Sequence, residues 1–208
     1  MKLQVAIDRV SIERAIDIIR EVEEYTDIVE IGTSLIKDFG LESVRRIKKE
    51  FPTKIILADI KTIDEAEYEF EGVYNAGADI ATVLGGAALE TLRICKRVAN
   101  KYNKDYLIDL IEVSNEKQET LKEFTDGIIC VHLSSDNGDM GLEDLINSTI
   151  GNLKDFNRLA VAGGVSKDSI STIKKANFDI AIVGGAITKS ENIKEAAKTF
   201  KKLMEENI

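Results

Sequence analysis

The chain has 208 residues, with 37 Asp and Glu against 28 Lys and Arg and a formal net charge of −9. That length suits one large domain able to bury roughly 70% of its unfolded surface, and the acidic excess argues against a nucleic-acid backbone or an anionic membrane as the main partner. No apolar run approaches the roughly 20 residues of a membrane span, and the N-terminus enters a strand pattern at once without a signal peptide, so the expected location is the cytoplasm.

The first strand pattern puts Leu3, Val5 and Ile7 on one face and Gln4, Ala6 and Asp8 on the other. Further apolar, β-rich runs begin near Asp27, Lys54, Asp79, Asp105, Gly127, Arg158 and Asp179, about 25 residues apart on average, and amphipathic stretches with helical spacing lie between them. Three starts share wording: Asp27-Ile-Val, Asp79-Ile-Ala-Thr-Val and Asp179-Ile-Ala-Ile-Val. Eight strands alternating with eight helices predict a closed (β/α)8 barrel, an α/β TIM barrel spanning residues 1–208 as a single domain. An open doubly wound sheet is the alternative, but the Gly-x-Gly-x-x-Gly turn of a dinucleotide fold is missing after strand one. Pro52 is the only proline, and no Gly/Ser/Pro-rich linker interrupts the pattern. Cys95 and Cys130 have no paired spacing for zinc or a redox dithiol and read as small buried hydrophobes.

In a barrel the apolar face of strand one meets the helices and the polar face points inward, so Asp8 ends inside, at the rim. The same alternation puts Glu30, Asp59, Lys61, Asp109 and the single histidine, His132, at C-terminal strand ends, where barrels of this type build their active sites. Asp59 and Lys61 are two residues apart, the strand repeat, and face the same way. An Asp and a Lys converging there neutralise each other and still bind a polar ligand, although an ordinary salt bridge capping a strand has the same spacing. Two carboxylates about 4 Å apart repel by about 4 kcal/mol at an effective dielectric of about 20, so a cluster of Asp8, Glu30, Asp59 and Asp109 protonates or recruits cations. Lys61 supplies one charge, and an all-oxygen ligand set suits Mg2+ rather than zinc for another; the alternative is that Lys61 and ordered water suffice. After the last two strands, Gly163-Gly164 and Gly184-Gly185 stand where barrels frequently hold phosphate, while Gly85-Gly86 reads as a turn.

The segments Leu-Gln-Val-Ala-Ile-Asp8, Asp27-Ile-Val-Glu30-Ile-Gly, Asp59-Ile-Lys61-Thr-Ile-Asp64, Val161-Ala-Gly-Gly164 and Ile182-Val-Gly-Gly-Ala-Ile-Thr188 resemble the 3-hexulose-6-phosphate synthase family of the orotidine-5′-monophosphate decarboxylase suprafamily. The resemblance runs the whole chain in order. It implies a barrel of the ribulose-phosphate-binding type, an aldol condensation of formaldehyde with D-ribulose 5-phosphate through an enediolate, Mg2+ as cofactor, and a homodimer with shared sites. By the same resemblance Glu30 and Asp59 match metal-associated carboxylates, Asp8 and Lys61 a substrate-site pair, and His132 the strand-six acid/base. Asp64 matches a residue given across the dimer interface; its own neighbourhood, between Thr62 and Glu65, also reads as a helix capping box. Asp109 and Asp136 are further candidates for substrate contacts. Family synthases typically read His-Thr-Gly-x-Asp-x-Gln after strand six; this chain reads His132-Leu-Ser-Ser-Asp136-Asn-Gly138, keeping the His and the Asp. The polar segment Leu133 to Gly141 reads either as a lid or as a solvent-exposed connection. Two other readings stay open: a 3-keto-L-gulonate-6-phosphate decarboxylase, whose usual Arg is replaced here by Ser135, and a barrel that binds a sugar phosphate without turning it over. A ribulose-phosphate epimerase would want more than one histidine.

Overall fold

In the computed structural model, which describes residues 1–136 and 140–206, eight parallel strands close into a barrel in chain order. The first half runs β1 Lys2–Ile7, α1 Ile12–Val22, β2 Ile28–Ile31, α2 Thr33–Phe39, α3 Leu41–Glu50, β3 Ile55–Thr62, α4 Ala66–Ala76 and β4 Ile80–Leu84. The second runs α5 Leu89–Tyr102, β5 Asp105–Asp109, α6 Asn115–Glu119, β6 Ile128–His132, α7 Leu142–Thr149, β7 Leu159–Ala162, α8 Ile170–Lys175, β8 Ile180–Val183, α9 Gly185–Thr188 and α10 Ile193–Glu205. All eight expected strand starts fall within one residue of the observed ones. The helix expectation needs correction, because the second and eighth units carry two helices each. Gly40 separates α2 from α3 with a φ of 59°, a left-handed turn that ends one helix and re-aims the chain into the next.

The strand faces sort as the alternation predicts. Leu3, Val5 and Ile7 join the apolar layer between strands and helices, whereas the barrel interior is a separate cluster. Its floor contains Ile28, Ile80, Ile128 and Ile180, one from each even-numbered strand, with Leu57, Leu107 and Ala160 from odd-numbered strands above them. Truncating one of these isoleucines to Ala would cost about 2–5 kcal/mol, because a close-packed layer collapses only partly. Higher in the barrel the inward positions turn polar: Glu30, Asp59, Thr82 and Asp109 are all buried. Cys95 and Cys130 are buried free thiols, as expected. Among the described residues no helix is long and apolar enough to cross a membrane.

The repeated Asp-Ile wording has a structural cause at the N-terminal end of the barrel. The Leu3 N–H donates to Asp27 Oδ2 at 2.7 Å, the Ile56 N–H to Asp79 Oδ2 at 2.9 Å, and the Leu159 N–H to Asp179 Oδ2 at 2.8 Å. In each case the same aspartate returns its own N–H to the carbonyl of that residue. One Asp before each of β2, β4 and β8 therefore clasps both polar backbone groups of one residue in the preceding odd strand, satisfying groups that would otherwise lose their ladder partners at the sheet end. Gly127 holds the corresponding place before β6, where a Cβ would lie 2.6 Å from the ring of Tyr106. Asp27 also receives Lys201 of α10 at 2.8 and 3.0 Å, tying the last helix to the first strand pair.

Candidate active site

The side chains at the C-terminal rim converge because of a break in β3. Ala58 pairs with Ala81 and Thr62 with Val83, so Asp59, Ile60 and Lys61 stand opposite the single residue Thr82 of β4. A bulge of this kind re-aims side chains and interrupts the ladder. Lys61 takes a left-handed backbone with φ 49°. For a residue with a Cβ that costs about 1–3 kcal/mol and persists only where neighbours hold it. The holder is Thr82, whose Oγ1 accepts the Lys61 N–H at 2.9 Å.

Lys61 Nζ folds back onto both Asp59 oxygens, at 2.9 and 2.8 Å, and reaches Asp109 Oδ2 at 3.1 Å. Burial alone would lower its pKa, but the charges of Asp59 and then Asp109 outweigh burial and hold the ammonium above the ordinary lysine value. Lys61 is therefore a fixed cation at neutral pH rather than a base. Asp59 takes two further hydrogen bonds, from Thr33 Oγ1 to Oδ2 at 2.6 Å and from Thr82 Oγ1 to Oδ1 at 2.9 Å.

Asp109 is the second hub. It accepts from the Ile111 N–H on Oδ1 at 2.9 Å, and its Oδ2 faces Lys61 and lies 2.8 Å from His132 Nδ1. Burial would raise its pKa, yet the His132 hydrogen bond, the Lys61 charge and the Ile111 N–H hold it below the usual carboxylate range. Glu30 is less well compensated: its hydrogen-bond donor is the neutral Gln4 amide, at 2.5 Å, and burial and then the charge of Asp59 outweigh that bond and the Lys61 charge, pushing its pKa up to about 8. Glu30, Asp59, Lys61, Thr82, Asp109 and His132 line a cavity of about 20 Å3. That is room for one water-sized particle. Among the described residues no three His, Cys, Asp or Glu side chains are arranged as a metal cage.

Two expected partners stand apart from this network. Lys61 pairs with Asp59 and Asp109, whereas Asp8 is exposed and its Oδ1 accepts from the Ser34 N–H at 3.1 Å and the Ser34 hydroxyl at 2.7 Å. A Cβ on Gly32 would sit 2.2 Å from the Asp8 carboxylate, so a larger residue there would push that side chain aside. Asp64 is exposed on the β3–α4 connection, and the expected capping box is absent. The helix begins only at Ala66, its N-cap Glu65 makes no side-chain cap bond, and the Thr62 hydroxyl ends β3 by donating to Glu69 instead.

The glycines flank the same rim. Gly163 and Gly164 have φ values of 81° and 66°, and a Cβ on Gly163 would fall 2.1 Å from the Leu133 carbonyl oxygen. Backbone geometry alone thus requires glycine at 163. Gly184 and Gly185 lead from β8 into α9 without a left-handed residue, and the nearest atom to a Cβ on Gly184 would be the Ala6 carbonyl oxygen at 3.7 Å. Asp136 is exposed in the turn after β6, where its N–H meets Ser134 Oγ at 3.3 Å, away from the acid cluster. The expected lid includes residues 137–139, which lie outside the described residues.

Four contributors escaped the sequence reading: Gln4, Thr33, Ser34 and Thr82. Only Gln4 and Thr82 left a usable signal, a polar residue at an inward position of an otherwise apolar strand.

Comparison with known proteins matches this chain to one family. The family model described as orotidine 5′-phosphate decarboxylase / HUMPS family matches residues 1–200. The 3-hexulose-6-phosphate synthase of Bacillus subtilis is 37% identical over 211 residues, covering 98% of this chain and 99% of the relative. The crystal structure of 3-hexulose-6-phosphate synthase from Salmonella typhimurium superposes with a TM-score of 0.91 at 31% identity, covering 98% of both chains. The crystal structure of KGPDC from Streptococcus mutans gives a TM-score of 0.89 at 25% identity, covering 98% of this chain and 96% of the other. With its barrel and near full-length similarity, the chain belongs to the orotidine 5′-phosphate decarboxylase / HUMPS family.

Proposed function

We propose that this lyase-type enzyme condenses formaldehyde with D-ribulose 5-phosphate to give 3-hexulose 6-phosphate. The observation that carries the reading is the Asp59–Lys61–Asp109–His132 network at the C-terminal rim, in a chain 37% identical to a protein of that name over nearly its full length. Forming the new bond requires a proton to leave C1 of the sugar, and negative charge then spreads over the two adjacent oxygens. Lys61, pinned as an ammonium, is suited to stabilise that charge. Asp109, kept anionic, accepts Nδ1–H of His132 and leaves Nε2 free to take the C1 proton. The C1 electron pair then attacks the aldehyde carbon, and the aldehyde oxygen takes a proton, for which His132 is the available donor.

Glu30 and Asp59 are the residues that would hold Mg2+. Two buried carboxylates beside an ion-sized cavity, one of them bonded only by a neutral amide, fit a hard cation whose remaining ligands are water or substrate oxygens. When bound, the ion would polarise the sugar oxygens and offset the acid cluster. The phosphate is assigned to the loops of Gly163-Gly164 and Gly184-Gly185, at the ends of β7 and β8. Asp8 and Asp136 remain candidates for hydroxyl contacts at the rim.

The active unit in this reading is a homodimer in which Asp64 serves the neighbouring site. Exposed Ile63 and Tyr68, 55% and 79% accessible, flank Asp64 and supply apolar surface for a second copy. A coupled assay with Mg2+, formaldehyde and ribulose 5-phosphate, run beside 3-keto-L-gulonate 6-phosphate, tests the proposal. Turnover of the first pair is expected; turnover of the gulonate alone, or of neither, would overturn it.

A further inference from the structure

Thr82 occupies an unusual place between the two charged residues of β3. The bulge leaves three residues, Asp59 to Lys61, facing one residue of β4, so the Lys61 N–H loses the carbonyl that a regular ladder would offer. Thr82 Oγ1 accepts that N–H at 2.9 Å and passes its own hydrogen to Asp59 Oδ1, also at 2.9 Å. Both directions are fixed by chemistry, because an amide N–H only donates and a carboxylate only accepts. The hydroxyl is 2% exposed with its residue, so water does not stand in for it. A single oxygen thus holds the backbone of one reactive residue and the side chain of the other.

We propose that Thr82 is a positioning residue that locks Lys61 in its left-handed conformation and thereby fixes the ammonium against Asp59 and Asp109. Its hydroxyl accepts from Lys61 and donates to Asp59, so its action on the site runs through those two residues. Without the hydroxyl, the Lys61 N–H loses its partner in a partly buried position, and the strained backbone has a reason to relax. A relaxed Lys61 carries its side chain to a different azimuth at the rim. A misplacement of about 1 Å at such a site costs about 10²-fold in rate.

The inference rests on the proposed synthase reading for its kinetic arm, and a second arm is independent of it. Thr82→Val keeps shape, size and β-branching but loses the oxygen, whereas Thr82→Ser keeps the oxygen. Valine should lower kcat by about 10²-fold with KM for ribulose 5-phosphate little changed, and serine should restore turnover to within several-fold of the parent. Hydrogen exchange of the Lys61 amide, followed by NMR in the full chain, reads the same hydroxyl directly: the amide should be protected in the parent and in Thr82→Ser, and exposed in Thr82→Val. A merely structural threonine would lower the thermal midpoint of the valine variant and leave kcat of the folded protein unchanged. That outcome, or continued protection of the Lys61 amide in Thr82→Val, would overturn the proposal. A parent chain with no synthase turnover would sink the functional reading while the exchange measurement still decides the role of Thr82.

Discussion

His132 Nδ1 lies 2.8 Å from Asp109 Oδ2, so in the proposed mechanism the acid/base work falls to Nε2. The His132 hydrogen bond, the Lys61 charge and the Ile111 N–H hold Asp109 anionic, and a carboxylate only accepts, so Nδ1 carries the hydrogen of that bond and Nε2 is the ring nitrogen not engaged by Asp109. Replacing His132 by Asn should lower turnover about 10²- to 10⁴-fold while the thermal midpoint and phosphate affinity stay near those of the parent. Turnover and melting measured on one preparation check this. Near-parental turnover with a lowered midpoint would make His132 a structural residue.

Activity should disappear with EDTA and return with Mg2+. Glu30→Gln should also weaken Mn2+ binding by the substrate-free protein, since it removes one of two carboxylates beside the ion-sized cavity. Titration followed by electron paramagnetic resonance reads that affinity without catalysis. Full turnover in metal-free buffer contradicts the assignment.

If Asp64 serves a neighbour's site, mixed dimers of inactive Asp64→Asn and inactive Lys61→Ala subunits should regain part of the parental turnover. Each mixed dimer then contains one site with both residues intact. No recovery in demonstrably mixed dimers would confine Asp64 to its own chain, where it makes no capping bond for α4.

The two glycine pairs should respond differently to a methyl group. Gly163→Ala forces a Cβ against the Leu133 carbonyl from a left-handed backbone, and should cost about 1–3 kcal/mol of stability. Gly184→Ala meets no atom closer than 3.7 Å and should leave stability nearly intact while raising KM for the sugar phosphate. Chemical denaturation and steady-state kinetics on both variants separate the effects; equal destabilisation would remove the distinction.

Asp79 makes stability depend on acid. Burial would raise its pKa, but Lys104, Lys48 and the Ile56 N–H hold it below the ordinary aspartate value. A carboxyl depressed in the folded state contributes stability that is present above its unfolded pKa and lost as pH falls through the lower folded value. Asp79→Ala should therefore cost about 1–3 kcal/mol at neutral pH, and the gap from the parent should narrow below about pH 4. A gap independent of pH would mean that the clasp acts through packing alone.

The barrel was legible in the sequence because its strands begin at abrupt boundaries, where a polar, charged or Gly residue gives way at once to an apolar run; before β2, β3, β4 and β8 that is an Asp or a Lys followed by Ile. The alternation of Gln4 and Ala6 against Leu3, Val5 and Ile7 gave the inward face of β1, and the same rule placed Glu30, Asp59 and Asp109 inside, although Asp8 itself is exposed. What alternation could not give is partner choice. Asp59 and Lys61 were expected to face the same way as regular strand residues, whereas a bulge and a left-handed Lys61 bring them together. Asp8 was assigned to the substrate site beside Lys61 on the strength of the family resemblance; its carboxylate is held by Ser34, a residue whose role depends on where α2 starts. Thr33 gave no signal, and Thr82 only that of a polar residue at an inward strand position, because a hydroxyl declares its partner only in three dimensions. The split of the second helix at Gly40 turned on one backbone angle, which composition does not encode.

The carboxylate of Asp27 joins two events in the life of the chain. It pairs β1 with β2 across 24 residues and later receives Lys201 across 174. Closing the longer loop costs about 2 kcal/mol more in chain entropy, so the strand pair can assemble first, while the distant lysine must wait for the ring to come round. During synthesis the first pair can form before the last helix has been made. Asp27 is then the point where the growing end is fastened to the beginning, and a chain ending before Lys201 should lose protection from amide exchange at the β1–β8 seam before it loses any between β1 and β2.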